Sequence, residues 1–86
     1  DGITLQLYPN PTRGTVYLIY QLPSGQTFSL QVFDMTGKLI QKRSFTASGF
    51  MEKQIFDFGS RIYPNGMYLF HFNSDNQQQI FKVIKQ

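Results

Sequence analysis

The alternation in Met67-Tyr68-Leu69-Phe70-His71-Phe72 constrains this chain more than any other stretch. Successive side chains of a strand point to opposite faces, so Tyr68, Phe70 and Phe72 share one side. Three neighbouring aromatic rings need a second sheet to cover them, and the rest of the chain has to supply it. A Tyr63-Pro64-Asn65-Gly66 turn precedes this strand and an Asn73-Ser74-Asp75-Asn76 turn follows it. Ile80-Phe81-Lys82-Val83-Ile84-Lys85-Gln86 then reads as a closing strand, apolar but bracketed by lysines. Chain ends are normally frayed and polar. An apolar strand running to the last residue therefore points to that terminus as a functional element.

The remaining chain supplies strands at short, regular spacing. Ile3, Leu5 and Leu7 alternate with Thr4, Gln6 and Tyr8 in the half-buried strand pattern. Pro9-Asn10-Pro11-Thr12-Arg13-Gly14 ends that strand, because each proline fixes φ and removes a donor. Thr15–Gln21 is β-branched and aromatic, and Leu22–Gln26 turns at Pro23 and Gly25. Thr27–Asp34 puts Phe28, Leu30 and Val32 on one face. Asp34-Met35-Thr36-Gly37 then fits a type I turn with a bulge, Asp bonding the turn and Gly left-handed. Lys38–Phe45 is the polar returning strand, with Lys42 and Arg43 marking it as an edge. Glu52–Phe58 sets Gln54, Phe56 and Phe58 against Ile55. No segment holds a helical apolar period. The reading is all-β, a sandwich of about seven antiparallel strands in one domain, 1–86. It is expected to be a piece of a longer or processed protein.

Composition narrows function. With no cysteine, neither disulfides nor thiolate metal sites are available, so nine Phe and five Tyr must build the core. The net charge of +3 is scattered apart from Lys42-Arg43, which argues against a nucleic-acid stripe. No apolar run reaches the roughly 18–20 residues of a membrane-spanning helix. His71, the single histidine, falls on the face opposite the aromatic row, with no nucleophile beside it. Asn73-Ser74-Asp75-Asn76 lacks the charge and ligand spacing of a calcium loop. No phosphate loop or zinc spacing occurs. Catalytic, cofactor and metal residues are therefore expected to be absent, along with any small-molecule substrate.

Four stretches, in this order, resemble the type A C-terminal sorting domain of Bacteroidetes type IX secretion cargo. They are Tyr8-Pro9-Asn10-Pro11 with Gly14; Val32-Phe33-Asp34-Met35-Thr36-Gly37-Lys38; Pro64-Asn65-Gly66-Met67-Tyr68; and Lys82-Val83-Ile84-Lys85-Gln86. The resemblance covers Leu5 to Gln86. It implies an immunoglobulin-like β-sandwich, itself non-catalytic, that serves as an address label. The implied partners are an N-terminal cargo domain, the outer-membrane type IX translocon and a sortase-like signal peptidase. The implied route is transit through the periplasm to the cell surface or medium. By position, Gly66 and Tyr68 match the family's glycine-x-tyrosine strand start, and Lys82, Val83, Ile84, Lys85 and Gln86 its terminal recognition segment. Asn10, Pro11 and Gly14 match the opening turn, Asp34 and Gly37 the central hairpin.

The residues also have plain structural readings. Asn10, Pro11, Gly14, Asp34, Gly37 and Gly66 suit turns, and Tyr68 suits the core. Lys82 and Lys85 are either recognition groups or a solubilising flank on a buried strand. An exposed last edge would let a partner add a strand there. Gln77-Gln78-Gln79 departs from the family pattern, lengthens the last hairpin and leaves its register open. The competing reading is an immunoglobulin-like accessory module that binds carbohydrate or spaces the domains of an extracellular enzyme.

Overall fold

The computed structural model describes residues 4–75 and 77–86. Ile3 and Asn76 of the expected elements lie outside this range. Seven strands run in order: β1 (Thr4–Tyr8), β2 (Thr15–Gln21), β3 (Thr27–Phe33), β4 (Leu39–Thr46), β5 (Glu52–Asp57), β6 (Gly66–Ser74) and β7 (Gln78–Lys85). One sheet has the order β1-β2-β5 and the other β4-β3-β6-β7, with every neighbouring pair antiparallel. The architecture is the expected immunoglobulin-like sandwich. In constant-type immunoglobulin domains the fourth strand lies beside the fifth; here β4 stays with β3. The tight Asp34–Lys38 turn holds the hairpin together, with the Asp34 carboxylate accepting from the Thr36 and Lys38 amides and the Thr36 hydroxyl. Gly37 takes the left-handed position at φ +88°, and a bulge follows Val32.

The alternation places the core as expected. Tyr68, Phe70 and Phe72 are buried, facing Val16, Leu18 and Tyr20 of β2 together with Phe56 and Phe58. Their rings meet edge-on, with Phe70 5.8 Å from Phe56 and 5.5 Å from Phe58 between centroids. Such geometry sets the positive edge of one ring against the negative face of another. Phe58 lies just beyond β5 but keeps to the inner face.

The last hairpin is lengthened, as the sequence suggests, and the added length lies in its strands. Asn73 and Ser74 belong to β6, and β7 begins at Gln78 rather than Ile80. Gln78 and Gln79 pair with Asn73 and Phe72, so the glutamines extend the ladder instead of widening the turn. The reason is main-chain pairing, which polar side chains on a sheet margin leave intact.

Both lateral openings of the sandwich are closed by side-chain or loop contacts. On one side Arg43 of β4 reaches the other sheet, donating to the Ile55 carbonyl at 2.8 Å and to Gln54 Oε1 at 3.3 Å. Its guanidinium lies 4.4 Å from the Phe56 ring centre, a cation–π contact. On the other side the β1–β2 connection leaves its own sheet and bonds to β7.

Candidate functional site

That crossing is made by two residues. The Asn10 side chain donates from Nδ2 to the Lys82 carbonyl at 2.6 Å and accepts the Ile84 amide on Oδ1 at 2.9 Å. A primary amide carries the same donor and acceptor as a peptide group, and here it substitutes for one. Thr12 continues the line in parallel bridging to Lys85: its amide donates to the Ile84 carbonyl at 2.8 Å, and its carbonyl accepts from the Gln86 amide at 2.9 Å. The Thr12 side chain is buried, its hydroxyl accepting from the Gly14 amide and donating to the Thr15 carbonyl. The expectation of an open last edge therefore fails for Lys82–Gln86. From the Lys82 carbonyl to the Gln86 amide, the outward groups already have partners within the chain.

The five terminal candidates divide by face. Val83 and Lys85 point inward with Phe81, and Lys82, Ile84 and Gln86 are exposed. Lys85 is only 7% exposed, and its ammonium donates to the carbonyls of Ser60 (3.2 Å) and Tyr63 (2.5 Å). It is not the outward flank that the sequence suggested. Its position on the inner face forces the ammonium to find acceptors, and the β5–β6 loop supplies two. Lys82 keeps its ammonium in solvent.

The other motif residues gather at the same end. Gly14, at φ +145°, opens β2, and its carbonyl accepts the Phe58 amide. Gly66 opens β6 directly opposite Lys85. Tyr68, near the start of β6, donates its hydroxyl to the Pro64 carbonyl. A tyrosine bonding back to the corner preceding its own strand is a tyrosine corner of the kind seen in sandwich domains. Its ring stacks on Phe58 at 5.8 Å. Burial raises the phenol pKa of Tyr68, with Asp34 and Tyr63 adding to the rise. The Thr36 hydroxyl, then the Lys38 amide, hold the Asp34 carboxyl below its usual range. A cleft of about 340 Å³ lies between Asp34, Lys38, Leu39, Ile62, Tyr63 and Tyr68.

All four sequence stretches thus meet at one pole. The β1–β2 loop, the β3–β4 turn, the β5–β6 loop and the end of β7 share it, because alternate connections of an antiparallel sandwich emerge on the same side. β1 begins at the opposite pole, where Thr4 pairs with Gln21. Sequence reasoning gave Asn10 to a local turn and missed its bonds across 72 and 74 residues. It also missed Thr12, Ser60 and the inward lysine. The strict alternation Phe81, Val83, Lys85 carried the signal for the last of these.

Among the described residues, no three acidic, histidine or cysteine side chains group so as to hold a metal ion. A family model described as the secretion system C-terminal sorting domain matches residues 6–86. The chain belongs to that family. The domain is a type IX secretion C-terminal sorting signal, which directs the protein carrying it across the outer membrane to the surface or medium. The family is generally non-catalytic. No curated protein matches the chain. Among solved structures, it is similar to dimeric latent PorU from Porphyromonas gingivalis, at 23% identity and a TM-score of 0.69. The match covers 95% of this chain and 9% of that one, so the chain spans about a tenth of that protein. At this identity the likeness establishes the fold.

Proposed function

We propose that the sorting domain is read at the pole where its four motif stretches meet, by components of the outer-membrane type IX translocon. Reading takes place in the periplasm, and a cargo domain precedes Thr4 at the far pole. The convergence of the β1–β2 loop, β3–β4 turn, β5–β6 loop and β7 end carries this reading. A cargo held at the opposite end leaves this pole free to meet a receptor. Within it, Lys82, Ile84 and Gln86 offer contacts, whereas Val83 and Lys85 hold the strand in place. A solvated lysine favours acidic receptor groups and makes recognition sensitive to salt. After export, a sortase-like peptidase removes the domain and attaches the cargo to a surface lipopolysaccharide.

The test is localisation of a leader-bearing fluorescent reporter fused ahead of residues 1–86, in a type IX bacterium and in its translocon mutant. Export in the competent strain alone is expected. Lys82→Glu should reduce export, while Lys53→Glu on the other sheet should leave it unchanged. A folded fusion retained in the periplasm of both strains would overturn the reading.

A further inference from the structure

The partner-strand site follows from which main-chain groups of β7 remain unpaired. Residues of one strand alternate, the N–H and C=O of one residue facing one neighbour and those of the next facing the other. Ile84 sends both groups outward, to Asn10 and Thr12, and Lys82 sends its carbonyl outward to Asn10. By the same parity, the amide of Lys82 and both groups of Ile80 and Gln78 also face away from β6. Among the described residues none of these five groups has a partner within the chain. Gln78, Ile80 and Lys82 are exposed, Ile80 by 58%.

The other sheet margins are protected. β4 and β5 are bridged by Arg43, which occupies the Ile55 carbonyl, and β4 carries Lys42 as well. β1 is five residues long and ends at Pro9. Among the described residues, Gln78–Lys82 combines five outward main-chain groups with an exposed aliphatic side chain and no covering contact.

We propose that Gln78–Lys82 is the strand-addition site for an extended segment of the receiving machinery, bearing an apolar side chain beside Ile80 and a carboxylate near Lys82. Main-chain bonds would give such a segment its affinity and the two side chains its selectivity. The carboxylate follows from charge. Lys82 and Lys42 are the formal charges on the strands of this outer face; Asp34 and Lys38 sit in the turn at one end, and Asp75 in the turn at the other. A second copy of this chain fits poorly. In an antiparallel self-pair centred on Ile80, Lys82 of each copy falls opposite Gln78 of the other, so neither ammonium meets a carboxylate. The inference rests on the sorting role and extends its contact from the terminal residues back along the strand before them.

Proline substitution removes an outward N–H without touching the β6–β7 ladder, since edge positions tolerate proline where the N–H faces solvent. Ile80→Pro and Ile80→Val would be compared in the reporter fusion, with folding of each domain checked by circular dichroism and thermal melting. Export of the wild type and Ile80→Val, with at least a tenfold loss in a folded Ile80→Pro, is the expected result. Wild-type export by folded Ile80→Pro would overturn the site while leaving the sorting role standing. Failure of the wild-type fusion itself would remove the sorting role, and the site with it. If Ile80→Pro does not fold, Gln78→Pro and Lys82→Pro, each deleting one other outward amide, decide by the same criterion. Sedimentation of the purified domain tests self-pairing, and a concentration-dependent dimer abolished by Ile80→Pro would assign the edge to a second copy and overturn the proposal.

Discussion

Gly14 and Gly59 approach so closely that no side chain fits between them: a β-carbon on Gly14 would stand 2.7 Å from the Gly59 α-carbon and 2.9 Å from its nitrogen. The contact brings the start of β2 against the end of β5 and lets the Phe58 amide reach the Gly14 carbonyl. Gly14→Ala combines this clash with a φ of +145° that alanine rarely adopts. It should cost about 2–4 kcal/mol, from backbone strain plus displaced packing. Urea denaturation measures it, and a change under about 0.5 kcal/mol would mean the two loops simply separate.

The two terminal lysines should behave differently. Lys85→Ala leaves two carbonyls without their donor and opens space beneath the β5–β6 loop, so a loss of about 1–3 kcal/mol is expected. Lys82→Ala should stay within about 0.5 kcal/mol of the parent, as for a surface site. Export assays on the same pair are interpretable only with these stabilities known. Equal stabilities would show that the Lys85 ammonium is not anchored as described.

Asn10→Ala should release the Lys82 carbonyl and the Ile84 amide together. Two bonds at about 0.5–1.5 kcal/mol each suggest a loss of about 1–3 kcal/mol. Amide hydrogen exchange gives the more specific reading. The Ile84 amide should exchange faster in the variant, and the inward-facing Val83 amide should change less. Unchanged Ile84 exchange would show that the bond does not protect it in solution.

Stability should decline at alkaline pH through two phenols. Burial raises the folded-state pKa of Tyr20 above 10.0, with Glu52 adding to the rise, and burial raises that of Tyr68 likewise. A group whose folded pKa is raised contributes fully below its unfolded value and loses that contribution as pH climbs through the folded one. The thermal midpoint should therefore fall above about pH 10, and less steeply in Tyr20→Phe. Asp34 works in the opposite direction. Its lowered folded pKa stabilises the domain above the usual aspartate value of 3.8 and ceases to do so as pH falls below it. Asp34→Asn should flatten the acid limb of the melting profile. An unaltered acid limb would place the effect elsewhere, with Glu52 the next carboxyl held low, by the Ser48 amide and hydroxyl.

Period-two patterning made the strands and the core readable from sequence. Tyr68, Phe70 and Phe72, and likewise Phe56 and Phe58, could be assigned to shared faces because aromatic rings recur at every second position. Turn chemistry identified the Asp34–Gly37 hairpin for the same local reason. Contacts between distant segments were not readable. Nothing near Asn10 announces that its amide will meet residues 82 and 84, since that depends on how two sheets stack. Lys85 was misplaced because a charge at a strand end ordinarily faces water, whereas alternation put it inside and the loop carbonyls met it there. The polar run Gln77–Gln79 left the register of the last hairpin open, because main-chain pairing with Phe72 and Asn73 is indifferent to those side chains.

The bond from Asn10 to Ile84 also sets an order of events in synthesis. A ribosome makes residues 1–81 before it makes the residues that Asn10 clasps, so the β1–β2 loop lacks these partners until Lys82 and Ile84 have been added. Val83 and Lys85 are equally late, and both fill inner positions. A prematurely terminated chain lacking these residues would leave the sandwich unclosed and its motif pole unassembled. The address becomes complete only with the final strand, and a truncated passenger carries an unfinished label.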